Sequence, residues 1–147
     1  MSGYLLDTNV VSEIRRPQPE AKVLAWLDSI DPELLYLSVM TLGEIRTGID
    51  RMPEGKQRTF LNYWFTDELL PWLAGRILPV TDVIAERWGA LDAKQRLQGR
   101  PLNTADGLIA ATAAVHGLTM VTRNVEDFSG LGVVLLNPWD VRSSEHH

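Results

Sequence analysis

Short apolar runs bounded by polar or turn-forming residues recur along the chain at Tyr4–Leu6, Leu34–Leu37, Arg76–Val80, Thr119–Val121 and Val133–Leu136. Too short for helices and rich in Leu, Ile and Val, they predict buried β-strands. Between them the apolar positions change to spacings of three and four. This predicts helices over Val10–Arg15, Ala21–Ile30, Met40–Asp50, a long region near Lys56–Leu73, Val83–Leu97 and Ala105–His116. Strands alternating with helices imply right-handed crossovers, and so a parallel sheet covered by helices on both faces.

The ends of these segments carry ordinary chemical markers. Asp82 stands ahead of Val83-Ile84, and Asn103 or Thr104 ahead of the run Leu108–Ala111, each suited to accept from free amides at a helix start. Gly99, Gly117 and Gly130 fall where helices should stop. No repeat, low-complexity tract or linker divides the 147 residues, and Pro17, Pro19, Pro53 and Pro101 mark internal connections. Residues 1–140 are therefore expected to form one domain. Residues 141–147 form a polar tail resembling the remnant of a purification tag, so His146 and His147 carry no functional weight.

Composition narrows the chemistry. With 45% hydrophobic residues, 22% charged residues and five tryptophans, the chain can bury a sizeable core. It contains no apolar run of membrane-spanning length and no leader-like N-terminus, which predicts a cytoplasmic protein without membrane contact. Cysteine is absent, so disulfides and thiolate metal sites are excluded and any bound metal would be a hard cation. The net charge of −5 gives no general attraction for nucleic acid. Such attraction would have to be local.

In parallel α/β sheets, ligands bind beyond the carboxyl ends of the strands. Asp7 ends the first expected strand, and Glu44 lies early in the helix after the second, off the apolar stripe of Leu42, Ile45 and Ile49. Asp106 occupies the first turn of "NTADGLIAATAAVHG", and Asn124 and Asp127 follow the fourth strand in "TMVTRNVEDF". Each has an ordinary reading taken alone. Asp7 can cap a helix, Glu44 can be a solvated charge, Asp106 can pair with Asn103 in a capping box, and Asp127 can be a turn acid. Their convergence on one edge outweighs these readings, because gathered carboxylates repel and raise one another's pKa unless a cation balances them. Mg²⁺ or Mn²⁺ suits an all-oxygen cluster, activates water at a phosphoryl centre, and lets an acidic protein hold phosphate at one spot.

The stretches "LLDTNVVSE", "LGEIRTG", "ADGLIAATAAVHGLTMVTRN" and "NPW" resemble the PIN-domain toxins of bacterial type II toxin–antitoxin pairs, the VapC family, and especially its FitB-like branch. The resemblance runs from Tyr4 to Trp139. It implies a three-layer α/β/α sandwich with a five-stranded, mainly parallel sheet. It also implies an Mg²⁺- or Mn²⁺-dependent endoribonuclease that cleaves RNA phosphodiester bonds with metal-activated water. Members usually work as homodimers, with a cognate antitoxin that covers the site and brings the pair to operator DNA.

By this resemblance Asp7, Glu44 and Asp106 take catalytic and metal-binding roles. Relatives of the FitB-like branch commonly carry an Asp directly after the Thr-Arg pair, where this chain has Asn124. Either Asn124 supplies a neutral oxygen ligand while Asp127 restores the missing charge, or Asp127 only positions Asn124; one or two ions are then compatible with the set. Thr8, Asn9 and Thr122 become supporting groups for Asp7 and Asn124. Arg123 and Arg46 are candidate phosphate contacts, and Ser38 is assigned to capping the following helix. The altered fourth position leaves a second reading, a catalytically weak PIN scaffold serving as a binding module in a DNA-binding antitoxin complex. A receiver-like or phosphatase reading with Asp7 as nucleophile lacks the neighbouring acid and lysine it would need. The aromatic segment "FLNYWFTDELLPWLAG", with Phe60, Tyr63, Trp64, Phe65 and Trp72, either packs on the sheet or offers a groove to the antitoxin or a second copy.

Overall fold

The computed structural model describes residues 3–141. The remainder of the polar tail, with His146 and His147, lies outside the described residues. Strands β1 (Tyr4–Leu6), β2 (Leu35–Ser38), β3 (Ile77–Leu78), β4 (Thr119–Val121) and β5 (Leu135–Leu136) form one sheet in the order β3-β2-β1-β4-β5. Every neighbouring pair is parallel, with Tyr4 opposite both Leu35 and Thr119. The first strand of the sequence is thus the central one, and all the strands end at the same edge.

The helices are α1 (Thr8–Ile14), α2 (Ala21–Asp28), α3 (Val39–Asp50), α4 (Lys56–Tyr63), α5 (Leu70–Trp72), α6 (Asp82–Leu97) and α7 (Thr104–His116). Alternation along the strands divides the core in two, because successive side chains leave a strand on opposite faces. Leu6, Leu35, Leu37 and Val121 pack with Val10 and Val11 of α1, Val23 and Trp26 of α2, Ile45 and Ile49 of α3, and Leu61, Phe65 and Leu69. On the other face Leu5 and Met120 pack with Ile109, Ala110 and Ala113 of α7, and with Phe128 and Leu131. These are the three α/β/α layers expected from the sequence.

Several boundaries differ from the sequence expectation for local reasons. β3 is shorter than Arg76–Val80, since Pro79 cannot donate to the ladder. β5 is shorter than Val133–Leu136, with Gly132 at φ 77° in the turn before it. α6 is capped by Thr81, whose hydroxyl accepts from Ile84 N at 3.2 Å, and not by Asp82. Asp82 is instead the first helical residue, where its charge faces the positive end of the helix. Asn103 is the cap of α7, and Gly117 ends that helix at φ 65°.

The long aromatic region is a continuous rod in which α4 passes through a π-helical turn, Trp64–Leu69, into α5. Pro71 has no amide to donate and its ring crowds the carbonyl of Asp67, so the ordinary ladder cannot continue unchanged. The aromatic residues of this segment divide between core and surface. Phe65 is buried and Trp64 packs against the core, whereas Phe60 is 61% exposed, Tyr63 56% and Trp72 41%.

Candidate active site

Asp7 is the residue at which β1 gives way to α1. Its amide still donates to Val121 O of β4 at 2.9 Å, and its carbonyl accepts from Val10 N at 3.0 Å. The side chain caps α1, with Oδ1 accepting from Thr8 N at 2.8 Å, while Oδ2 accepts from Thr122 Oγ1 at 2.8 Å and from Asn9 Nδ2 at 3.4 Å. Asp7 is therefore both a cap and a buried carboxylate at the carboxyl edge of the central strand, only 4% exposed. Thr122 also accepts from Asn124 N at 3.0 Å, so one buried hydroxyl joins the end of β1 to the loop after β4.

Glu44 is presented by α3, whose start is fixed by Ser38 accepting from Met40 N at 3.0 Å. Thr8 Oγ1 donates to Glu44 Oε1 at 2.5 Å. Behind it lies Thr41, fully buried, with its hydroxyl 3.4 Å from that of Thr8. Asp106 sits in the first turn of α7 and is gripped twice by Asn103, through Asp106 N to Asn103 Oδ1 at 2.8 Å and Asn103 Nδ2 to Asp106 Oδ2 at 2.9 Å.

Electrostatics joins these groups. Burial pushes the Asp7 carboxyl up to about 6, against the hydrogen bonds from Thr122 and Thr8, and the charges of Asp106 and Glu44 push the same way. Asp106 is raised by its own burial, then by the charge of Glu44, with Asp127 adding to it and Asn103 opposing. Asp106 and Asp127 also line one open cavity of about 500 Å³. Asn124 begins the 3₁₀ turn Val125–Phe128, and its carbonyl accepts from Asp127 N at 3.0 Å.

No basic side chain forms a salt bridge with Asp7, Glu44, Asp106 or Asp127 among the described residues. Oxygen donors with uncompensated negative charge, two of them, Asp7 and Asp106, with raised pKa, are the environment a hard divalent cation relieves. Among the described residues no three acidic or histidine side chains stand close enough to enclose an ion by themselves. The fit is thus one of donor chemistry and charge, with Asp106 and Asp127 lining an open cavity and Asp7 buried behind them at the end of β1.

The two candidate phosphate contacts are engaged by neighbouring groups. The Arg123 guanidinium lies 5.1 Å over the Trp139 ring; the Glu20 amide, then Arg16 and last the Arg123 charge hold the buried Glu13 below the usual carboxylate range. Arg123 N donates to Asn9 Oδ1 at 3.3 Å, which supports the residue beside Asp7. Arg46 bonds Asp50 and Asn62 and lies 5.0 Å over Phe65. Sequence reasoning passed over Thr41, although its position three residues before Glu44 was a usable signal: a hydroxyl on the core-facing side of an otherwise apolar stripe.

The sequence profile of the PIN domain matches residues 4–132. The chain is 42% identical over 136 residues to a VapC ribonuclease, Y4jK, of Sinorhizobium fredii, covering 92% of this chain and 97% of that protein. It is 42% identical over 135 residues to Toxin FitB of Neisseria gonorrhoeae, again covering 92% and 97%. The solved structure of FitAB bound to an IR36 DNA fragment superposes with a TM-score of 0.89 at 40% identity, covering 95% of this chain and 97% of that one.

Proposed function

The chain belongs to the PIN-domain family and groups with its VapC and FitB toxins, and from that premise we propose that it is the toxin of a type II toxin–antitoxin pair. Its activity is that of an endoribonuclease, a metal-dependent hydrolase of RNA phosphodiester bonds. The observation that carries this reading is the buried Asp7 carboxyl, raised to about 6 beside Glu44 and Asp106 with no basic partner among the described residues.

The resident ion is Mg²⁺ or Mn²⁺, which when bound polarises a phosphoryl oxygen and lowers the pKa of a water. Asp7 and Asp106 would hold it directly. Asp7 Oδ1 accepts only the Thr8 amide and keeps lone-pair capacity for a cation, while Thr122 and Asn9 fix the carboxylate through Oδ2. Glu44, oriented by the Thr8 hydroxyl, takes the ion or one of its waters. Asp127 would supply the fourth negative charge from its place beside Asp106, and Asn124 would add a neutral oxygen.

The partner is a cognate antitoxin, which carries the pair to operator DNA, and two copies of this chain form the toxin. The exposed rings of Phe60, Tyr63 and Trp72 are apolar surface available to the antitoxin or to a second copy. Incubation of the purified chain with total RNA in Mg²⁺ or Mn²⁺ tests the reading. Discrete fragments that vanish with EDTA and return with metal are expected; intact RNA under all conditions, with a folded protein, would leave the binding-module reading instead.

A further inference from the structure

An acidic protein that cleaves RNA needs local positive charge to hold the strand across its carboxylates. Several arginines are already engaged by other groups. Arg16 pairs with Glu13, Arg46 with Asp50, and Arg96 with Asp92, while Arg76 bonds the carbonyls of Pro32, Leu35 and Trp72, and Arg123 lies over Trp139.

Two arginines without an ion pair among the described residues line cavities that contain site acids. Arg100 shares the cavity of about 500 Å³ with Asp106 and Asp127. Arg51 shares a second, also of about 500 Å³, with Glu44, Thr47 and Gly48. Both residues are exposed, and the helices that carry Glu44 and Asp106, α3 and α7, are in contact with one another.

Their backbones are fixed as a binding residue requires. Arg51 is the cap residue at the end of α3, two turns beyond Glu44, which corresponds to about 10 Å along the helix. Arg100 is clamped by a buried glutamine: Arg100 N donates to Gln95 O at 2.8 Å, and Gln95 Nε2 donates to Arg100 O at 3.0 Å. That clamp gives a reason for a fully packed Gln95 in the last turns of α6.

We infer that Arg51 and Arg100 are phosphate contacts for single-stranded RNA, one on each side of the carboxylate cluster, so that the strand runs from the Glu44 cavity to the Asp106–Asp127 cavity. This rests on the proposed ribonuclease reading and adds the path and polarity-independent anchors of the substrate. The arginines bind flanking phosphates and leave the reacting atoms to the acids.

The test compares Arg51→Gln, Arg100→Gln and their double variant with wild type, using a fluorescent single-stranded RNA of mixed sequence in Mg²⁺. Arg58→Gln and Arg87→Gln serve as charge-matched controls, since those arginines line cavities with no site acid. Each test variant is expected to raise KM several-fold with kcat little changed, and to reduce the slope of log affinity against log salt by about 0.7 per lost phosphate. Affinities for the salt series are read by anisotropy in an Asp7→Asn background. Controls that match wild type complete the expected result. RNA cleavage with KM and salt slope unchanged in both test variants, or equal losses in the controls, overturns the inference and leaves the ribonuclease reading standing. A folded wild type that neither binds nor cleaves RNA overturns both.

Discussion

The Thr122 hydroxyl donates to Asp7 Oδ2 at 2.8 Å across 115 residues of sequence and accepts the Asn124 amide at 3.0 Å. One oxygen thus sets the position of the buried carboxylate and of the loop that carries Asn124 and Asp127. Removing it should affect charge before it affects the fold.

Thr122→Val keeps the shape and deletes the donor that opposes the rise in the Asp7 pKa. The metal-free Asp7 carboxyl should then titrate about one unit higher, given about 1.5–3 kcal/mol for a hydrogen bond to a charged group and partial relaxation. Thr122→Ser should titrate close to wild type. Carboxyl ¹³C NMR across pH reads both, and coincident curves for Thr122→Val and wild type would contradict the role.

The pH dependence of stability follows from the same carboxylate. Its folded value, about 6, lies above the ordinary 3.8, so protonated Asp7 favours the fold; that contribution is complete below about 3.8 and is lost as pH rises through about 6. Metal-free protein should therefore be less stable at neutral pH than this group alone would allow at pH 4. Asp7→Asn should recover up to about 3 kcal/mol at pH 8 and little near pH 4, at about 1.4 kcal/mol per pKa unit. Urea unfolding at the two pH values measures the difference, and equal effects at both would refute it.

Gly107 follows Asp106 where α6 and α7 cross. A Cβ there would stand 2.7 Å from Trp88 Cδ1 and 2.8 Å from Trp88 Nε1, whereas at Gly89 of α6 a Cβ meets nothing within 4 Å. Gly107→Ala should cost about 1–3 kcal/mol by overpacking and displace Asp106, lowering cleavage with stability. Gly89→Ala should gain about 0.5–1 kcal/mol with cleavage unchanged. Thermal unfolding with parallel cleavage assays separates the two; similar behaviour at both positions would argue against close packing of Trp88.

The layers and the parallel sheet were legible because short apolar runs and helical spacing alternate in the sequence, as around Tyr4–Leu6, Thr119–Val121 and Leu108–Ala113. Asp7 and Asp106 were legible because each stands at an element boundary that topology brings to one edge. Thr8, Asn9 and Thr122 followed as their neighbours. The engagement of Arg123 by Trp139 was not legible, since a ring at the far end of the chain gives no local signal. Nor were Arg51 and Arg100, which become significant only when folding sets their cavities against Glu44, Asp106 and Asp127. The shift of the α6 cap from Asp82 to Thr81 is a one-residue matter decided by which oxygen reaches Ile84 N.

The most direct test of the central claim is RNA cleavage by Asp7→Asn in Mg²⁺, set against wild type at equal folded concentration. Circular dichroism and thermal unfolding of the variant separate lost activity from unfolding. Cleavage is expected to fall by at least about a hundredfold, the scale of losing a group that acts on the reacting centre. Cleavage at the wild-type rate, still abolished by EDTA, would place the catalytic ion elsewhere and contradict the account.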